Sequence, residues 1–167
     1  IRPRGKTNMS SGMKLGTELF ENLMEVDKNE YENRIIFLTD AMPNTGELSE
    51  KGLFGQMESN ALMGIHSTFI GIGVDFNSSL VEKISKVKGG NYYSVHSVED
   101  FKKRMDDEFE YMVTPLVFDL QLTLSGEGYE IDEVYGSPNA DKSTGNILNI
   151  NTLFPSAPKD GENKGGL

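Results

Sequence analysis

Apolar positions change their period along this 167-residue chain, and each change marks an element. From Ser11 to Val26, the residues Leu15, Leu19, Phe20, Leu23 and Met24 recur at helical spacing. The next block, "RIIFLTD", is a short, continuous, β-branched apolar run, the pattern of a strand covered on both faces. After the turn-rich "AMPNTGELS", the positions Leu53, Phe54, Met57, Ala61 and Leu62 form a second helical stripe, and "STFIGIG" reads as a second buried strand. "NSSLVEKISKVKGG" carries its own start and stop. Ser79 with Glu82 predicts a capping box, Leu80, Ile84 and Val87 face inward, and Gly89 follows lysines in the last turn. "NYYSV" predicts a third strand, and "SVEDFKKRMDDEFEYM" a last helix with Phe101, Met105, Phe109 and Met112 in register. This alternation predicts an α/β fold, a doubly wound, mostly parallel sheet flanked by helices on both faces.

At Pro115 the period becomes two. Leu116, Phe118, Leu120, Leu122 and Leu124 alternate with Val117, Asp119, Gln121, Thr123 and Ser125, which predicts a half-buried antiparallel strand. "YEIDEVYG" and "NILNINTLF" continue in that style between turn residues. The expected organisation is an α/β domain over residues 1–113 and an all-β antiparallel appendage over 114–167, an incomplete sandwich whose tail "PSAPKDGENKGGL" is a polar loop. No internal repeat is visible.

The composition, 37% hydrophobic and 25% charged with the apolar residues in runs, is that of a chain that folds. A net charge of −10 argues against nucleic acid, whose phosphates require clustered Lys and Arg. Divalent cations and basic partners suit it better, although an acidic surface also serves solubility alone. The absence of cysteine excludes disulfides, thiolate zinc sites and cysteine nucleophiles. No stretch approaches the roughly 20 apolar residues of a membrane helix, so no direct membrane insertion is expected of this segment. A chain that starts at Ile1 is expected to be a piece of a longer protein.

In an open parallel sheet, ligands gather beyond the carboxyl ends of the strands. Asp40 ends "IIFLTD" and Asp75 follows "TFIGIG", while Thr7 precedes the first helix in a Gly-containing loop, with Asn8 and Ser10 beside it. A hydroxyl and carboxylates with no soft ligand describe a site for a hard cation such as magnesium. Each residue also has a plainer role. Thr7 can cap its turn, Asp40 can bond the backbone of "AMPNTG", and Asp75 and Asn77 can cap the helix that follows. The acidic run Asp106, Asp107, Glu108 and Glu110 reads as a solvated helix face. His66 and His96 flank strands and are expected in surface or packing roles, and "GIGVDFN" lacks the third glycine of a dinucleotide fingerprint.

The blocks "GKTNMSSGMKLG", "RIIFLTDAMPN" and "FIGIGVDFNSSLVEKISKVKGGNYYSV" together resemble a von Willebrand factor type A domain, of the bacterial or archaeal kind with extra β structure behind it. The resemblance spans about Gly5 to Met112 and rests on the order and spacing of the blocks. It implies a metal-ion-dependent adhesion site holding Mg2+, or Mn2+ or Ca2+, with Thr7 as the second-loop ligand and Asp40 as the third-loop residue. Asn8, Ser10 and Asp75 would then form a second shell or ligand rim. The family's Asp-x-Ser-x-Ser loop and first strand have no counterpart in this chain; "DKSTG" at Asp141–Gly145 ends in glycine, follows no apolar strand and reads as a turn. They are expected upstream of Ile1, on another chain, or lost.

The function this implies is an adhesion module, not an enzyme, in which the metal takes a carboxylate from an acidic residue of a protein partner. A cell-surface, envelope or extracellular location goes with it; a cytoplasmic one is the alternative. Two other functions stand beside it. One is a structural module with a degenerate metal site. The other is a magnesium-dependent hydrolase or phosphotransferase using Asp40, for which the chain shows neither a second nearby carboxylate nor a phosphate loop.

Overall fold

The computed structural model describes residues 8–20, 27, 30–40, 52–73, 78–137 and 139–158. Within them run α1 (Met9–Glu18), β1 (Asn33–Thr39), α2 (Leu53–Leu62), β2 (Ile65–Ile72), α3 (Ser78–Lys86), β3 (Asn91–Val95), α4 (Val98–Met105), α5 (Phe109–Val113), β4 (Val117–Thr123) and β5 (Asn146–Leu153). The first three strands form a parallel sheet in the order β1-β2-β3, and β4 pairs antiparallel with β5 in a separate sheet. The α/β class read from the sequence is the observed one, followed by an antiparallel pair.

Alternation along the strands divides the sheet's side chains between two cores. On one face Ile35, Phe37 and Phe69 meet α1, α2 and α3 through Met9, Met13, Leu53, Phe54, Met57, Leu80, Ile84 and Val87. Phe37 and Phe69, paired in register, stack with centroids 5.3 Å apart. On the other face Ile36, Ile70, Tyr93 and Val95 meet α4 and α5 through Phe101, Met105 and Met112. β2 is the central strand, and from Ile65 to Gly71 it is buried throughout.

Several local expectations are corrected. The inward face of α1 is Met9, Met13, Gly12 and Gly16, not the leucine stripe. Leu15 is 65% and Leu19 76% exposed, and Leu23 and Met24 lie outside the described residues. The reason is close approach. A Cβ at Gly12 would stand 3.2 Å from Phe37 and one at Gly16 3.1 Å from Ile35, so the two glycines let the helix lie directly on β1. In α2 the inward position beyond Met57 is Asn60, bonded to Thr17 Oγ1, whereas Leu62 is 88% exposed. α3 begins at Ser78, which places Ser79 within the helix, and Glu82 pairs with Lys86 instead of closing a capping box.

β1 is only partly buried, with Leu38 exposed, because no described strand pairs with its second edge. The last helix is two, α4 and α5, broken where Glu108 turns inward onto Lys103 and Arg104. Glu108 therefore belongs to the buried residues and not to a solvated face. "YEIDEVYG" forms no strand: Tyr129 and Tyr135 are exposed and the segment has no ladder partner. "DKSTG" is a turn, with Asp141 Oδ1 accepting from the Ser143 amide and hydroxyl.

Candidate functional site

Gly12 against Phe37 and Gly16 against Ile35 set the direction of α1: it runs antiparallel to β1. Its N-terminal residue Asn8 is thereby carried toward the carboxyl end of β1, where Asp40 follows Thr39 as an exposed residue. At the same edge the amide of Gly73, just past β2 and at φ +69°, donates to Val95 O at the end of β3 (2.8 Å). Thr7 and Asp75 lie outside the described residues.

The two described members of the predicted rim have partners of their own. Asn8 is the N-cap of α1, its Oδ1 accepting from the Ser11 amide at 3.1 Å. Ser10 is buried and its hydroxyl accepts from Gln56 Nε2 at 2.7 Å. Among the described residues, no three His, Asp or Glu side chains come together. Of the predicted site residues, Asp40 is the described carboxylate at this edge, and it is exposed.

The opposite, amino edge holds a polar cluster that the pattern of the sequence did not announce. Arg34, with only 4% of its side chain exposed, donates from Nε to Val113 O, from Nη1 to Gly89 O and Thr68 Oγ1, and from Nη2 to Glu32 Oε1. Burial pushes its pKa down from the ordinary value, and the adjacent Glu32 carboxylate opposes that shift. His66 Nδ1 lies 2.6 Å from the same Glu32 oxygen, within hydrogen-bond distance. This cluster joins the two sheets. The His66 ring packs on Phe118 of β4, Arg34 lies over Phe154 just after β5, and the Gly89 amide donates to Thr152 Oγ1 at 2.7 Å. His66 thus has a packing role as expected, but inside β2 and with an acidic partner. The available signal was a charged residue inside the run "RIIFLT".

No family model matches the chain. A search among curated proteins finds similarity to mouse "Inter alpha-trypsin inhibitor, heavy chain 4", 28% identical over 120 residues. The match covers 70% of this chain but only 13% of the mouse protein. The similarity is therefore to one stretch of a much longer protein. None of the helices of the described residues is long and apolar enough to cross a membrane.

Proposed function

We propose that this chain is a protein-interaction module of the von Willebrand factor type A kind, which binds a partner's carboxylate through a divalent cation at the carboxyl edge of the parallel sheet. The observation that carries this reading is the antiparallel lie of α1 on β1, which brings Asn8 toward the edge that Asp40 occupies. Thr7 precedes Asn8 directly. The Thr7 hydroxyl and the Asp40 carboxylate are hard oxygen donors of the sort magnesium or manganese takes, and two protein donors leave the remaining positions to water and ligand. When bound, the cation would supply an electrophilic position for an acidic side chain. No nucleophile or general base enters this function. The similarity to one stretch of the long mouse protein supports a module within a longer protein, and an extracellular location belongs to the same proposal.

A structural module without a metal is the second reading, favoured by the prior engagement of Asn8 and Ser10 in capping and packing. Calorimetric titration with MgCl2 and MnCl2 separates the two, run on this chain and on a form extended upstream of Ile1, with Asp40→Ala and Thr7→Ala beside each. Saturable binding that disappears in both variants, with their melting curves unchanged, supports the metal site. If neither form of the wild-type chain binds either cation, the structural reading replaces it.

A further inference from the structure

A cavity of about 330 Å³ opens between β3, the α4–α5 turn and the chain that leaves β5; its walls include Tyr93, Arg104, Glu108, Tyr111 and the segment Pro155–Pro158. Among its charged lining residues the basic ones outnumber the acidic. Lys103 and Arg104 bring two positive charges to it against the single carboxylate of Glu108, in a chain whose net charge is −10.

The guanidinium of Arg104 is held in a fixed plane. It lies over the Tyr93 ring, 5.3 Å from the centroid, and its Nη1 donates to Glu108 Oε2. Its Nε is buried and has no acceptor among the described residues, which for a charged donor is a standing cost. Glu108 is fully engaged, with its other oxygen 3.1 Å from Lys103 Nζ. Tyr93 Oη accepts from Asn91 Nδ2 at 3.4 Å, and its own proton has no described acceptor. Burial raises the Tyr93 pKa, which keeps that proton in place. The site therefore presents cationic and hydroxyl donors beside aromatic and proline walls, at the small end of the volumes that hold ligands.

We infer that this cavity binds a carboxylate carried on an aromatic or apolar body, either an acidic side chain of a protein segment or a free organic acid. The remaining edge of the Arg104 guanidinium and the Lys103 ammonium supply charged donors to a carboxylate, and the tyrosine and proline walls suit the attached body. With Glu108 already inside, one net positive charge disfavours a dianion such as phosphate. Asp40 is not among the residues that line the cavity, and the site does not depend on a metal.

The test follows amide shifts of the ¹⁵N-labelled chain during titration with sodium benzoate, with benzamide as the neutral isostere and sodium phosphate at matched ionic strength. The expected result is saturable benzoate shifts confined to residues around Tyr93, Lys103–Met112 and Ser156–Ala157, none with benzamide, and weaker binding of phosphate. Arg104→Gln should weaken benzoate by about tenfold or more, the scale of a lost charged hydrogen bond. Should Arg104→Gln fail to fold, the exposed Lys103→Gln serves instead and should weaken benzoate severalfold. Asp40→Ala should leave benzoate binding unchanged. Competition by N-acetyl-Phe-Glu-Phe-amide, but not by its Gln counterpart, would assign the carboxylate to a protein segment, whereas binding of benzoate alone would assign it to a free acid; both bear out the inference. Absence of saturable shifts, equal binding of benzoate and benzamide, or phosphate bound at least as tightly would overturn it.

Discussion

Replacing Arg34 by alanine removes the side chain that ties the amino edge of the parallel sheet to the β4–β5 pair. The guanidinium is almost wholly shielded from solvent and donates to Val113 O, Gly89 O, Thr68 Oγ1 and Glu32 Oε1 at 2.8–3.0 Å. Its loss strands two backbone carbonyls and leaves the Glu32 carboxylate, 29% exposed, with His66 as its remaining partner. Truncating one member of a buried ion pair costs about 3–5 kcal/mol, and because Glu32 is partly solvated the expected loss lies at the lower end. Against a total stability of about 5–15 kcal/mol, that is a large fraction. The assay is urea unfolding at neutral pH, followed by far-UV circular dichroism and tyrosine fluorescence together to check that the transition is two-state. For a slope of about 2 kcal/mol/M, the midpoint should fall by roughly 1.5 M with the slope unchanged. Arg34→Met, which keeps the stem but not the donors, should recover less than half of the loss. A midpoint shift below about 0.3 M for Arg34→Ala would refute the reasoning, since it would mean that the orphaned carbonyls and carboxylate find water at no cost.

Four further substitutions probe other parts of the molecule. Gly89→Ala would set a Cβ 2.2 Å from the His66 ring at a backbone φ of +71°, so a destabilisation above about 2 kcal/mol is expected; a melting temperature equal to wild type would contradict the packing. Met13→Ala should cost about 2–5 kcal/mol and Leu15→Ala no more than about 0.5, and the reverse order in chemical denaturation would restore the leucine stripe as the buried face of α1. The Ser143 hydroxyl, with its amide, holds the Asp141 carboxyl below its ordinary pKa of 3.8. A depressed folded-state pKa contributes stability that is present above 3.8 and is lost as the pH falls through the lower folded value. Asp141→Asn should therefore melt below wild type near about pH 6 and together with it near about pH 2. An equal deficit at both pH values would show that the carboxylate charge is not what the turn uses.

The chain by itself determined most of its succession of elements, though not that "YEIDEVYG" stays out of a strand or that the last helix is two. "STFIGIG" reads as a buried strand and "NYYSV" as a short one, the stripe Leu80, Ile84, Val87 gives one inward helical face, and the change to period two after Pro115 marks the antiparallel pair. Those features are local, because each is the hydrophobic demand of a single element. The choice of face in α1 was not local. The leucines at 15 and 19 look inward by spacing alone, yet the glycines at 12 and 16 allow a closer approach to β1 and thereby turn the leucines out. The same is true of charge. Glu108 reads as one more acid in a solvated run, and only the meeting of α4 with α5 puts it between Lys103 and Arg104. Arg34, Glu32 and His66 are separated in the chain and become one buried cluster only when β1 and β2 pair in register and β4 closes over them. Of the candidate metal site, residue types and their order were legible in the sequence. What tertiary structure decided is the direction of α1 on β1, which carries Asn8 toward the edge where Asp40 follows β1. Spacing encodes what one element must bury, whereas a site is made by several elements at once, and their mutual approach is set by the small and charged residues between them.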